Sequence, residues 1–126
     1  MSVKYSIDKS QRLIVSVGER VVRFDDIRGH QNRLLADPDF DPTFDQLLDV
    51  TRVARFEVSA DQARILAGRQ IVSRDSLRAF VATQPHIFGL GRMMEVYHGS
   101  LAHVHIFYSM EEALNWLGRS LPVSSL

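Results

Sequence analysis

The chain of 126 residues contains no cysteine, which excludes disulfides, thiol nucleophiles, thiol redox sensing and every cysteine-ligated metal centre. It also has no net charge, with 15 Lys plus Arg set against 15 Asp plus Glu. A nucleic-acid binder needs a basic excess to displace phosphate counterions, and a protein held on an anionic membrane surface needs a basic cluster, so neither partner is expected. With a pI near 7.0 there is little self-repulsion, and association into a homodimer is allowed. No apolar run approaches the roughly 20 residues of a membrane span. The polar start, MSVKYSIDKSQR, carries no apolar signal segment, and the expected location is the cytoplasm. Signature motifs are missing as well. There is no G-x-S-x-G elbow, no P-loop and no H-E-x-x-H, and Gly89-Leu-Gly91 lacks the third spaced glycine of a dinucleotide site. No cofactor is expected.

What is present is ordinary globular material, 45% hydrophobic and 24% charged, in a length that suits one domain. That domain is expected over residues 1–121, with 122–126 as a tail. Val3 to Ile7 and Arg12 to Val17 read as two strands around the turn set Asp8-Lys9-Ser10, followed by a short loop or a strand continuation through Gly18 to Phe24. Asp25 or Asp26 suits an N-cap, and Ile27, Leu34 and Leu35 fall at helical spacing, so a helix is predicted over 26–36. Asp37 to Phe44 is a proline-stiffened loop. Phe44 to Val50 reads as a central strand with Leu47, Leu48 and Val50 in the core. Ser59-Ala-Asp-Gln62 and Ser109-Met-Glu-Glu112 are capping boxes, each opening a helix. Between them, Leu77 to Thr83 and Ala102 to Phe107 read as strands. Pro85 starts a helix with an apolar stripe at Ile87, Leu90, Met94 and Tyr97. The order is β-β-α-β-α-β-α-β-α: an α/β fold with a mixed, mostly parallel sheet and covering helices, its first two strands antiparallel. Leu48, Val81 and Ile106 are expected to share one interior.

This order, with the segments Ala36-Asp-Pro-Asp-Phe-Asp-Pro42, Leu47-Leu-Asp-Val-Thr-Arg-Val53, Phe88-Gly-Leu-Gly-Arg-Met-Met94 and Glu112-Ala-Leu-Asn-Trp-Leu117, resembles the small bacterial SpoIIAA-like proteins. Their fold is shared by STAS domains and, in larger form, by CRAL-TRIO lipid-binding proteins. The resemblance implies a non-catalytic binding or regulatory module that takes a small apolar, lipid-like ligand or a protein partner. It also implies an alternative, a phospho-regulated anti-sigma-factor antagonist. Glu57-Val-Ser-Ala60 stands where that family has D-S-S-G, which makes Ser59 the phospho-switch position and Glu57 a partner contact. Val58 and Ala60 depart from the motif.

Candidate chemistry follows from individual side chains. Ser59 at a helix start either caps the first turn or carries a phosphate stabilised there. His103 and His105, two apart on a strand, share a face and open a reading as a metal-dependent enzyme. The third ligand that reading needs has no enforced position, and the plainer reading is a pair of histidines on a partly solvated face. Asp37, Asp39, Asp41 and Asp45 imitate an EF-hand opening, but Pro42 stands at the glycine position and Leu48 at the glutamate position, so no calcium loop is expected. Asp49, in an apolar strand, is expected to accept from loop N–H groups. The helix from Pro85 to His98 carries Phe88, Leu90, Met93, Met94 and Tyr97. That is more apolar surface than one stripe requires, and it marks a candidate ligand pocket or interface.

Overall fold

The computed structural model describes residues 2–69, 71–73, 75–89, 92 and 103–120, and of Ala67 the backbone alone. The strands are β1 (Val3–Asp8), β2 (Leu13–Arg23), β3 (Asp45–Glu57), β4 (Arg78–Val81) and β5 (Val104–Phe107). The helices are α1 (Phe24–Ala36), α2 (Ala60–Gly68), α3 (residues 85–89) and α4 (Met110–Leu117). The predicted alternation of elements is therefore observed. The sheet runs β1-β2-β3-β4-β5, with β1 antiparallel to β2 and every other pair parallel.

Local chemistry explains the connections. At the β1–β2 turn the Asp8 carboxylate accepts from the Ser10 N–H at 3.0 Å, the Ser10 hydroxyl at 2.6 Å and the Gln11 N–H at 3.2 Å, the side-chain-to-backbone pattern that lets aspartate close a turn. Helix α1 begins two residues before its predicted start. Asp26 is not its cap but sits in the first turn, where its carboxylate reaches back to the Arg23 N–H at 2.8 Å. Both serine caps are observed: Ser59 Oγ accepts from the Gln62 N–H at 3.1 Å and Ser109 Oγ from the Glu112 N–H at 3.2 Å. For Ser59 the box is reciprocal, the Gln62 side chain accepting from the Ser59 N–H at 3.0 Å.

Two strands run longer than their apolar patterns suggest. β3 continues to Glu57 because its second half pairs with the second half of β2, Arg20 opposite Val53 and Val22 opposite Phe56. Along residues 51–57 Val53 is the buried position, so apolar alternation does not announce this stretch. The register shifts between Val17 and Glu19 and again between Arg20 and Val21. Gly18 sits at the first shift, where a Cβ would stand 3.0 Å from Val53 Cγ2.

Each sheet face has its own core, because side chains alternate along a strand. On one face Leu13, Val15, Leu47, Ala79 and Val81 pack against Ala113 and Leu117 of α4. On the other, Ile14 packs with Leu34 of α1 and with Phe44 and Val72, while Val22, Val53 and Ile106 pack with Ile87 of α3. This corrects the expected triad. Leu48 and Ile106 both pair with Phe80 and share its face, whereas Val81 pairs with Asp49 and Phe107 and points the opposite way. Of the residues at helical spacing in α1, Ile27 and Leu34 face inward together with His30 and Gln31, whereas Leu35 is 52% exposed.

The end of α4 is tied to the sheet. The Arg119 guanidinium donates to the Gln11 carbonyl at 2.7 Å and pairs with Asp45 at 3.0 Å, and Asp45 also accepts from the Leu77 N–H at 2.8 Å. Gly118 makes this possible by leaving the helix in the left-handed region (φ 67), so that the Arg119 N–H bonds back to the Leu114 carbonyl at 3.0 Å. Among the described residues no helix is long and apolar enough to cross a membrane. Gly118→Ala is expected to lower unfolding free energy by about 1–2 kcal/mol, the cost of a side chain in the left-handed region. Urea unfolding checks this, and unchanged stability would show that the turn tolerates another geometry.

Candidate functional site

Three neighbouring strands interrupt their apolar face with a polar side chain: Ser16 on β2, Gln46 on β3 and Arg78 on β4. Gln46 and Arg78 are direct cross-strand partners, and Ile14 lies opposite Gln46 on the far side. Helix α1 lowers His30 onto this patch. Its Nε2 lies 2.9 Å from Ser16 Oγ, and Gln46 Nε2 donates to the same oxygen at 3.1 Å. Gln46 occupies one lone pair of the Ser16 oxygen, and the hydroxyl either donates to an unprotonated His30 Nε2 or accepts from a protonated one, according to the imidazole tautomer. The Tyr5 ring meets the imidazole edge-on, 5.7 Å between centroids. His30, Ser16 and Gln46 are 4%, 3% and 3% exposed, a burial that polar groups tolerate only when they are mutually hydrogen-bonded. Burial first, then the charges of Arg33 and Arg78, pull the His30 pKa from 6.5 to about 4.

Beside this cluster lies a cavity of about 160 Å³. Leu48, Val50, Phe80 and Ile106 form its floor, Ile27 and Leu34 of α1 and Ala63 and Leu66 of α2 its walls, and Ile87 of α3 a further edge. The wall is mostly hydrocarbon. Its polar contributors are Ser16, His30, Gln31, Gln46 and Arg78. Arg78 borders the open space, which leaves the residue partly accessible, yet its guanidinium is enclosed deeply enough for burial to lower its pKa to about 10. It remains a cation at neutral pH. Among the described residues its Nε has no hydrogen-bond partner, and neither has the Gln31 Oε1. The guanidinium carbon lies over the Phe80 ring, 5.9 Å from its centroid.

The hydrogen-bonded Ser16–His30 pair invites comparison with a nucleophile and its base. A general base works best with a pKa near the operating pH, and His30 is far below it. No carboxylate among the described residues orients the ring. The pair therefore fits a structural and ligand-lining role.

The residues singled out from sequence lie elsewhere. Phe88 stacks parallel on Tyr108 with ring centroids 3.8 Å apart and carries Arg92 over its face, so its neighbour Ile87, not Phe88, faces the cavity. Leu90, Met93, Met94 and Tyr97 fall outside the described residues. Glu57 pairs with Arg23 at 3.0 Å and Arg55 at 2.9 Å, and Ser59 is the exposed cap of α2. His105 lies on the α4 face, stacked on Trp116 at 5.6 Å and edge-on to Phe107, so both faces of β5 meet helices. Among the described residues no three His, Asp or Glu side chains converge to hold a metal. Asp49 accepts from the N–H and hydroxyl of Thr51 within its own strand rather than from a loop. The acidic run is dispersed: Asp37 to the Tyr5 hydroxyl, Asp39 to Lys9, Asp41 to Thr43 and Asp45 to Arg119. The sequence reading passed over Ser16, His30, Gln46 and Arg78. Their available signal was polar residues at inward positions of otherwise apolar elements.

Two outcomes follow from this geometry. Below pH 6.5 the unfolded chain protonates His30 while the folded chain does not, so its contribution is complete above pH 6.5 and is lost as the pH falls toward about 4. Between pH 7 and pH 4.5 the wild type is expected to lose on the order of 2 kcal/mol more than His30→Gln. Parallel urea curves with the same pH slope in both proteins would contradict that. Ser59→Ala is expected to cost about 1 kcal/mol as a lost cap, measured the same way, and a negligible change would mean that the box adds nothing.

No model of a protein family matches the chain, and no curated protein matches it. Among solved structures, it is similar to an uncharacterised protein of the DUF3478 family from Shewanella loihica PV-4, described as having a SpoIIAA-like fold. The two share 14% identity at a TM-score of 0.64, over 92% of this chain and 94% of that one. At such identity the likeness carries the architecture alone, and it agrees with the sheet order and crossovers described above: this chain has a SpoIIAA-like fold.

Proposed function

We propose that the protein is a non-catalytic binding module that takes a small, largely apolar ligand into the cavity between the sheet and helices α1, α2 and α3. The observation that carries this reading is the cavity itself. Close-packed interiors leave few voids larger than a water molecule, and an opening of about 160 Å³ walled by Leu48, Val50, Phe80 and Ile106 is a costly thing to leave unfilled. A cavity of this size accepts a molecule near the size of benzene or a short alkyl chain. Concave, mostly apolar sites with a few convergent polar groups are the usual form of small-molecule sites. The non-catalytic part of the reading rests on His30, whose low pKa makes it a poor base at neutral pH. Leu90, Met93, Met94 and Tyr97, the apolar residues that follow Ile87 in the sequence, remain part of the proposal as candidate ligand contacts.

The test uses neutral probes, toluene and octan-1-ol, titrated into the labelled protein while the methyl signals of Leu48 and Ile106 are followed by NMR. Saturable shifts in the wild type are expected, and Ala63→Phe, which projects a ring into the cavity from α2, should weaken them at least about tenfold while the far-core signals of Leu13 and Val81 stay in place. Absence of saturable shifts, or their survival in Ala63→Phe, overturns the reading.

A further inference from the structure

We infer that the ligand of this cavity is a small monoanion, a carboxylate on a compact apolar body, and that Arg78 is the residue that recognises its head. The inference rests on the cavity being a ligand site, and it adds the chemical class of the ligand. An arginine on the apolar face of a central strand is an unusual thing to keep. Removing a cation from water costs several kcal/mol even after relaxation, and an unpaired one keeps that penalty. Other enclosed arginines among the described residues find an acceptor: Arg119 meets Asp45, Arg33 donates to the Val3 carbonyl at 3.0 Å, and Arg69, whose Nη1 is also unpartnered, donates through Nη2 to Asn32 Oδ1 at 2.7 Å. Arg78 is not matched. Among the described residues no carboxylate or carbonyl accepts from its side chain, its Nε is enclosed and unpartnered, and it lines the cavity.

The surroundings select what such a charge would take. Its neighbours in the wall are neutral or apolar: Phe80 beneath it, Gln46 beside it in register, and His30 held uncharged. The guanidinium fork matches a carboxylate, which it binds through two parallel N–H donors. A single enclosed cation neutralises a single negative charge, and a phosphate monoester would bring a second charge into the same low-dielectric space with no partner. The rest of the wall is hydrocarbon, which sets the body of the ligand as an aromatic ring or a short alkyl chain.

The experiment compares octanoate with octan-1-ol, which share a tail and differ in the head, by calorimetric titration of the full chain at pH 7. The wild type is expected to bind octanoate at least about tenfold more tightly than octan-1-ol, and Arg78→Met should erase that preference while keeping octan-1-ol binding. Octyl phosphate is expected to bind more weakly than octanoate. In the wild type, independently of any variant, the Arg78 Nε–H resonance should move downfield with octanoate and stay in place with octan-1-ol. Octan-1-ol binding as well as octanoate, octyl phosphate binding best, or an unmoved Arg78 signal would each overturn the carboxylate assignment while leaving the apolar cavity reading intact. Failure of both octyl ligands to bind would overturn the cavity reading itself.

Discussion

Parallel pairing of β2 with β3 is the contact on which the other elements depend. It runs from Leu13 opposite Asp45 to Arg23 opposite Glu57, and it places the hydrophobic strands Leu13–Val17 and Leu47–Val50 in the centre of the sheet. Since side chains alternate along a strand, a slip of β3 by one residue against β2 would send Leu48 and Gln46 to the α4 side and Leu47 to the cavity, leaving Ser16 without Gln46 on its face. The register shift at Gly18 preserves the pairing past the first half of the strands. With Val53 so close to the backbone there, the position has little room for a side chain.

Given that register, the two faces do different work. The α4 face is an ordinary apolar layer closed by Ala113 and Leu117 and tied off by Arg119 and Asp45. The α1 face carries a hydrogen-bonded set, Ser16, His30 and Gln46, next to a hollow and an enclosed arginine. Replacing these groups with leucine and valine would relieve desolvation and fill space, so fold stability alone gives no reason for them. Sites at which a sequence breaks its own packing rules are where function is expected.

Much of the architecture was legible in the sequence because it rests on local signals. The two S-x-x-Q/E boxes, the Asp8 turn, Gly118 and the apolar runs at Leu13–Val17, Leu47–Val50 and Val104–Phe107 mark their elements through interactions with residues a few positions away. The extension of β3 to Glu57 was not legible, because it is held by backbone bonds to a distant strand and its side chains are largely exposed. The inward face of α1 was legible only in part. Ile27 and Leu34 stand out as apolar, but His30 and Gln31 between them are polar, so spacing alone groups the exposed Leu35 with the two inward residues.

The candidate site shows the division most clearly. From sequence, attention falls on residues whose chemistry is conspicuous one at a time: His103 and His105, the Asp37–Asp45 run, Ser59 at its cap. In the fold these are dispersed or engaged in local bonds. Ser16, His30, Gln46 and Arg78 are separated by 14 to 32 positions in the pairs that bring them together, and none is notable alone. Element order, caps and the alternation of mostly apolar strands can be read from the residues in order, because those follow from short-range periodicity and hydrogen bonding. Which side of each strand faces which helix, and so which polar groups share one dry space, is visible in the folded chain alone. That choice belongs to strand register and helix docking, which are set by contacts between residues far apart in the chain.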